Sequence, residues 1–189
     1  MKSSTETDAA SADAMLFATF AKLDRATLEL EFDRLLAANG PALTRLAASF
    51  TNTPSDRDDL VQEIALAVWR AWPAFRGECS PRTFLFRIAH NRAIAHLARS
   101  RPRYPAAEVD NVHDPAPDPE SGLAREQSAE RLHRAIQRLP LVYRQVITLA
   151  LEDMGYADIA DVLGISESNV GARLTRARQL LRESLEKGK

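Results

Sequence analysis

The chain has a single cysteine, Cys79, in 189 residues, so no disulfide can form within it and a reducing compartment is the expected setting. Long apolar runs are missing as well. The first apolar stretch, Met15 to Ala21, is broken by Thr19 and is too short for the core of a signal peptide. Nothing approaches the roughly 18 to 20 apolar residues that a membrane span needs. These absences predict a cytoplasmic protein without direct membrane insertion. Net charge is nearly absent, at −1, so total charge points to no partner. The period-two alternation of strands is also almost missing, and helical spacing prevails.

Catalytic constellations are lacking too. His90 and His96 stand six apart, not at the i, i+4 spacing of paired helical metal ligands, and Cys79 has no CxxC partner. His113 and His133 fall in a linker and on a polar helix, where surface positions are expected. There is no glycine loop for phosphates and no nucleophile elbow. The sequence therefore predicts no enzyme, no metal, no cofactor, no small-molecule substrate and no redox role for Cys79.

What the chain does have is charge in blocks. Arg70 to Arg103 carries eight arginines against one acid, Glu78, a balance of +7. Tyr104 to Leu123 carries five acids and no lysine or arginine. A basic functional surface, an acidic connector and a second basic segment near the C-terminus follow from that order. The connector, "RPRYPAAEVDNVHDPAPDPESG", has five prolines and no period, which reads as a semi-extended, flexible linker.

The expected fold class is all-α: two small helical domains joined by this linker. Residues 1–13 are small, polar and expected to be disordered; 14–103 form the first domain, 104–123 the linker and 124–187 the second domain. In the first domain, Met15 to Ala38 and Pro41 to Phe50 read as helices broken at Asn39-Gly40. Ser55 is the expected N-cap of the next helix, whose apolar stripe is Val61, Ile64, Ala65, Val68 and Trp72. Its opposite face shows Asp59, Gln62, Glu63, Leu66 and Arg70. Ser80-Pro81 opens a helix to about Ser100 that is apolar on nearly every side and so belongs at the centre. Trp69, Trp72 and at least two of Phe75, Phe84 and Phe86 are expected in the core. In the second domain, helices are expected from Ala124 to Leu139 and from Pro140 to about Glu152.

"DIADVLGISESNVGARLTRAR", residues 158–178, reads as a helix-turn-helix. Gly164 supplies the turn and Ser166 the cap of a second helix that buries Val170, Leu174, Ala177 and Leu181. Ser168, Asn169, Ala172, Thr175 and Arg176 then face outward, with Arg173 at the margin. Such a face suits a major groove, where arginine pairs with guanine edges or phosphates and asparagine with adenine.

Residues 56–103, "DRDDLVQEIALAVWRAWPAFRGECSPRTFLFRIAHNRAIAHLARSRPR", resemble region 2 of bacterial RNA polymerase sigma factors of the extracytoplasmic function group. "AIQRLPLVYRQVITLALEDMGYADIADVLGISESNVGARLTRARQLLRESL" resembles region 4 of the same proteins. The resemblance implies that Asp59, Gln62 and Glu63 dock on core RNA polymerase. It implies that the loop and helix from Phe75 onward open promoter DNA near position −10 and hold an unstacked base. Arg76, Arg82, Arg87 and Arg92 would supply charge there, Phe84 and its aromatic neighbours stacking, and Asn91 a contact to the captured base. The helix-turn-helix would read the −35 element. A regulating anti-sigma factor is a further implied partner, and a stress response the implied setting. One departure stands out: where family members often carry a basic residue and a serine, this chain has Gly171-Ala172, which implies an altered −35 preference or greater reliance on the −10 domain. The competing readings are a conventional helix-turn-helix regulator acting without polymerase, and a sigma-like protein that only sequesters a partner. The basic, aromatic-bearing segment from Phe75 to Arg103 favours the sigma reading, because a dimerisation domain has no need of it.

Overall fold

The computed structural model describes residues 25–100 and 120–186, and every regular element among them is helical. Residues 1–13, the start of the first expected helix, His113 and nearly all of the linker lie outside the described residues.

Helix α1, Arg25–Ala48, runs straight through the expected break at Asn39-Gly40 and carries Pro41 inside it. A helical proline costs roughly 3 kcal/mol through its missing N–H and ring clash. Leu43 and Leu46, essentially inaccessible to solvent, return about 1.5–3 kcal/mol each on burial and offset that cost. Local chemistry helps. Gly40 offers no Cβ to the proline ring, Asn39 donates its side-chain amide to the Leu35 carbonyl at 2.9 Å, and Thr44 donates its hydroxyl to the Gly40 carbonyl at 3.1 Å.

Helix α2, Pro54–Ala71, is capped by Thr53, whose hydroxyl accepts from the Asp56 N–H at 3.1 Å. The expected cap, Ser55, lies within the first turn. Pro54 has no N–H to satisfy and suits the first helical position, which moves the cap to the residue before it. The buried stripe is Leu60, Ile64, Ala67 and Val68, rotated from the expected one so that Val61 and Ala65 sit at its margin. Trp72 is buried beyond the helix end, stacked on Phe75 at 5.3 Å, with its indole N–H donated to the Leu28 carbonyl. Trp69, expected in the core, is 39% exposed and meets only the edge of the α1 seam through Phe32. One residue past Val68, it is turned about 100° away from the stripe.

Helix α3, Pro81–Ser100, begins as expected on Ser80, whose hydroxyl accepts from the Thr83 N–H at 3.0 Å. It buries Leu85, Phe86, Ala89, His90 and Ala93 and packs against both α1 and α2.

The second half contains α4, Glu120–Arg138; α5, Leu141–Ala150; α6, Tyr156–Leu163; and α7, Glu167–Glu186. Helix α4 starts four residues ahead of the expected Ala124, and α5 stops at Ala150 rather than Glu152. Gly164 ends α6 at φ 65°, a left-handed conformation in which glycine pays no Cβ penalty. Ser166 then accepts from the Asn169 N–H at 3.3 Å to start α7. Ile159, Val162, Val170, Leu174, Ala177 and Leu181 are buried together with residues of α4 and α5.

The two halves touch. Buried apolar residues of both form one contiguous cluster, and α6 lies against α3. Gln137 of α4 donates its amide to the carbonyls of Ala48 and Thr51 at the end of α1, at 3.0 and 2.7 Å. His133, expected at the surface, is half-buried at this junction beside Gln137, and burial lowers its pKa.

Candidate nucleic-acid interface

The first candidate surface is the outer face of α2. Asp59 and Gln62 are exposed there. Glu63 accepts two hydrogen bonds from the Arg99 guanidinium at the end of α3, at 3.0 and 2.7 Å. Leu66, 55% exposed, continues the same strip one turn further on. An acidic and amide strip with an uncovered leucine can receive a partner by charge and by apolar contact together.

The second surface is α3 with the loop before it, where Gly77 turns the chain at φ 72°. Arg76, Arg82, Asn91 and Arg92 are exposed, and Arg87 is partly so. Of the three phenylalanines, Phe86 is wholly buried and Phe75 nearly so, which leaves Phe84 as the available ring. Phe84 lies 4.7 Å from Phe75 and helps line a cleft of about 280 Å³ with Arg76, Glu78, Cys79 and Arg87. An aromatic floor beside guanidinium groups can accept a flat base and an anionic backbone. Burial pushes the Cys79 thiol pKa up, with Arg87 opposing, which fits an unreactive thiol. On the inner side of α3, burial lowers the His90 pKa to about 4, with the neighbouring Asn91 side chain opposing.

The third surface is the front of α7. Ser168, Asn169, Ala172, Thr175 and Arg176 are exposed, while Arg173 is half-exposed beside them. Thr175 donates its hydroxyl back to the Gly171 carbonyl, and Arg176 bonds only to Gln179 one turn on. Gly171 faces Tyr156 of α6: a Cβ added at 171 would stand 3.5 Å from its ring.

The three surfaces are not brought into one site. Instead, the second meets residues that sequence spacing alone does not single out. Thr83 donates to Asp158 at 2.7 Å, and Arg87 donates to Asp161 at 2.5 Å. Arg82 donates to the Glu152 carbonyl at 2.5 Å while its guanidinium covers the Phe86 ring. Arg45 forks onto the Glu152 carboxylate at 2.9 and 2.5 Å. That carboxylate is 3% exposed, and its hydrogen bond raises the Arg45 pKa. Of the acidic partners, Glu152, Asp158 and Asp161 carry no signal in the sequence that sets them apart from other surface carboxylates.

Comparison with known proteins finds matches in both halves. Residues 35–103 match the Sigma-70 region 2 family model, and residues 129–181 match Sigma-70, region 4. The chain is 32% identical to the ECF RNA polymerase sigma factor SigM of Mycobacterium tuberculosis, over 89% of this chain and 82% of that protein. It is 30% identical to the RNA polymerase sigma-H factor of Pseudomonas aeruginosa, over 82% of this chain and 86% of that one. Among solved structures, CnrH in complex with the cytosolic domain of CnrY is similar at a TM-score of 0.68 and 30% identity, covering 94% of this chain and 99% of CnrH. The sigma factor RpoE in complex with the anti-sigma factor NepR, from Bartonella quintana, has the same fold at a TM-score of 0.64 and 21% identity, over 82% of this chain and 97% of RpoE.

Proposed function

The chain belongs to the extracytoplasmic function group of sigma-70 family RNA polymerase sigma factors, and from that premise we propose a division of labour among its three surfaces. The α2 strip of Asp59, Gln62 and Glu63 docks on core RNA polymerase. The α3 surface, with Arg76, Arg82, Phe84, Arg87, Asn91 and Arg92, takes the −10 strand and helps open it, the cleft beside Phe84 holding an unstacked base. The front of α7, with Ser168, Asn169, Ala172, Arg173, Thr175 and Arg176, reads the −35 element in the major groove. Residues 14–103 act as the core-binding and −10 domain, 124–187 as the −35 domain, and 104–123 as the connector. An anti-sigma factor holds the protein inactive until a signal arrives. The protein carries no catalytic group of its own and works in the cytoplasm with the polymerase; among the described residues no helix is long and apolar enough to cross a membrane.

The observation that carries this reading is the pair of family regions in the right order on one chain. The test is transcription by purified core polymerase on a genomic promoter library, with and without the protein. Initiation at a shared two-part sequence, reduced at least tenfold for Asp59→Ala/Glu63→Ala (about 1.4 kcal/mol of docking energy or more), is the expected result. No initiation, together with specific duplex binding by the protein alone, would replace it with a conventional helix-turn-helix regulator.

A further inference from the structure

The joint between the end of α1 and α4 is built around one amide nitrogen with three neighbours. Gln137 Nε2 lies 3.0 Å from the Ala48 carbonyl, 2.7 Å from the Thr51 carbonyl and 3.0 Å from His133 Nε2. An amide nitrogen only donates, and it has two hydrogens to give. The two carbonyls claim both. They also fix the orientation of the amide, because a flipped Gln137 would set its own oxygen against two others. His133 Nε2 can therefore stand at 3.0 Å only as an acceptor, its lone pair turned to the amide and the ring neutral. We propose that this joint is sensitive to protons: a proton taken up by His133 sets two donors against each other and frees Gln137 from the end of α1, which loosens the association of the halves.

The surroundings of the ring come from several helices, and on balance they oppose its charged form. Burial pushes the His133 pKa down, the Ala48 carbonyl pulls it up, and the Arg57 guanidinium of α2 adds to the lowering. Arg57 is itself held by Asp58 at 3.0 Å, which moderates its repulsion. On α4, Glu130 and Arg134 pair with each other at 3.5 Å. From α5, Arg144 donates to the Gln137 and Leu139 carbonyls and holds the backbone of this turn. The Ala48 carbonyl is the point of competition. It receives Gln137 while the ring is neutral, and an imidazolium beside it is the stronger donor. Because the closed joint favours the neutral ring, its support is complete above the ordinary histidine value of about 6.5 and is lost as pH falls from there toward the lowered value. One proton is involved, so the ratio of released to closed joint rises by at most about tenfold per pH unit. No member of the joint belongs to α3 or α6.

The test is a nuclear magnetic resonance titration of the full chain from about pH 8 to about pH 5, a range that brackets the ordinary histidine value. The His133 ring and the Gln137 side-chain amide are followed together, and small-angle scattering gives the radius of gyration at the two ends. The expected result is a His133 midpoint below about 6.5 and a Gln137 amide signal that leaves its bonded position at the same midpoint. The radius of gyration should be larger at the acid end. His133→Gln, whose side-chain oxygen can accept from Gln137 without titrating, should hold the Gln137 signal and the radius constant across the range. Arg57→Gln leaves every bonded member of the joint in place and covers the case in which His133→Gln fails to fold. It should move the two midpoints upward together. A Gln137 signal or a radius that stays put while His133 titrates would overturn the proposal. So would a His133→Gln variant as acid-sensitive as the parent, or midpoints that separate in Arg57→Gln. None of these readings uses DNA or polymerase, so the outcome is independent of the roles proposed for α2, α3 and α7.

Discussion

Helices α3 and α7 are built alike and end up in opposite situations. Both are 20 residues long, both start on a serine cap, and both carry arginine on the outward side. Helix α7 buries a purely apolar back, Val170, Leu174, Ala177 and Leu181, and leaves its front open with hydrogen bonds only to itself. Helix α3 has a titratable histidine and a threonine among its buried residues, and two of its arginines, Arg82 and Arg87, are bonded to the other half of the molecule. The lesson is that local charge identifies a candidate surface, while the tertiary partners of that charge decide whether it is available.

The hardest test of the comparison attacks the backs of the two helices. Phe86→Ala, at a fully buried ring, should cost about 3–5 kcal/mol, and Leu174→Ala about 2–5 kcal/mol. Urea unfolding of the full chain measures both. Because one apolar cluster spans the halves, both variants should shift the same transition; two separate transitions would show that each helix belongs to an independently folding unit.

A gentler probe uses acid. His90 has its pKa lowered to about 4 in the folded chain by burial, against about 6.5 unfolded. The unfolded state therefore binds the extra proton first as pH falls, and stability is present above 6.5 and lost progressively down to about 4. Between pH 7 and pH 5 this amounts to about 2 kcal/mol. His90→Leu should flatten that dependence. An unchanged slope would assign the acid sensitivity elsewhere, since α7 buries no titratable group.

The smallest expected effect sharpens the α7 side. Gly171→Ala should stabilise the protein by up to about 1 kcal/mol, because alanine gives up less backbone freedom in a helix. The new methyl would stand at ordinary contact distance from Tyr156. A higher melting temperature is expected, and a lower one would mean that the Tyr156 ring needs the gap.

These helices also show how far the sequence could be read. The α7 pattern was legible because an apolar back at helical spacing, a glycine turn and a serine cap all agree over one short segment. Asn39-Gly40-Pro41 misled because the local signals for a break are real, yet burial of Leu43 and Leu46 outweighs them. Ser55 lost its role to Thr53 through one proline, and Trp69 left the core through a rotation of one residue. The bonds of Thr83, Arg87 and Arg45 to α6 and its preceding turn were not legible at all. They join positions 75, 74 and 107 residues apart, and no periodicity spans such distances. The family resemblance supplied expected roles for single residues, and it was silent about which of them already hold one another.

The Gln137 amide of α4 closes the end of a helix to which it does not belong. The final carbonyls of a helix have no partner within it, and at the end of α1 a side chain from α4 meets the Ala48 carbonyl together with that of Thr51 just beyond the helix. The end of α1 is thus finished by a residue 86 or more positions away. If the halves part, that terminus loses its closure and should fray, so deuterium uptake at the backbone amides around residues 48–52 would follow the association of the halves without any label attached to the protein.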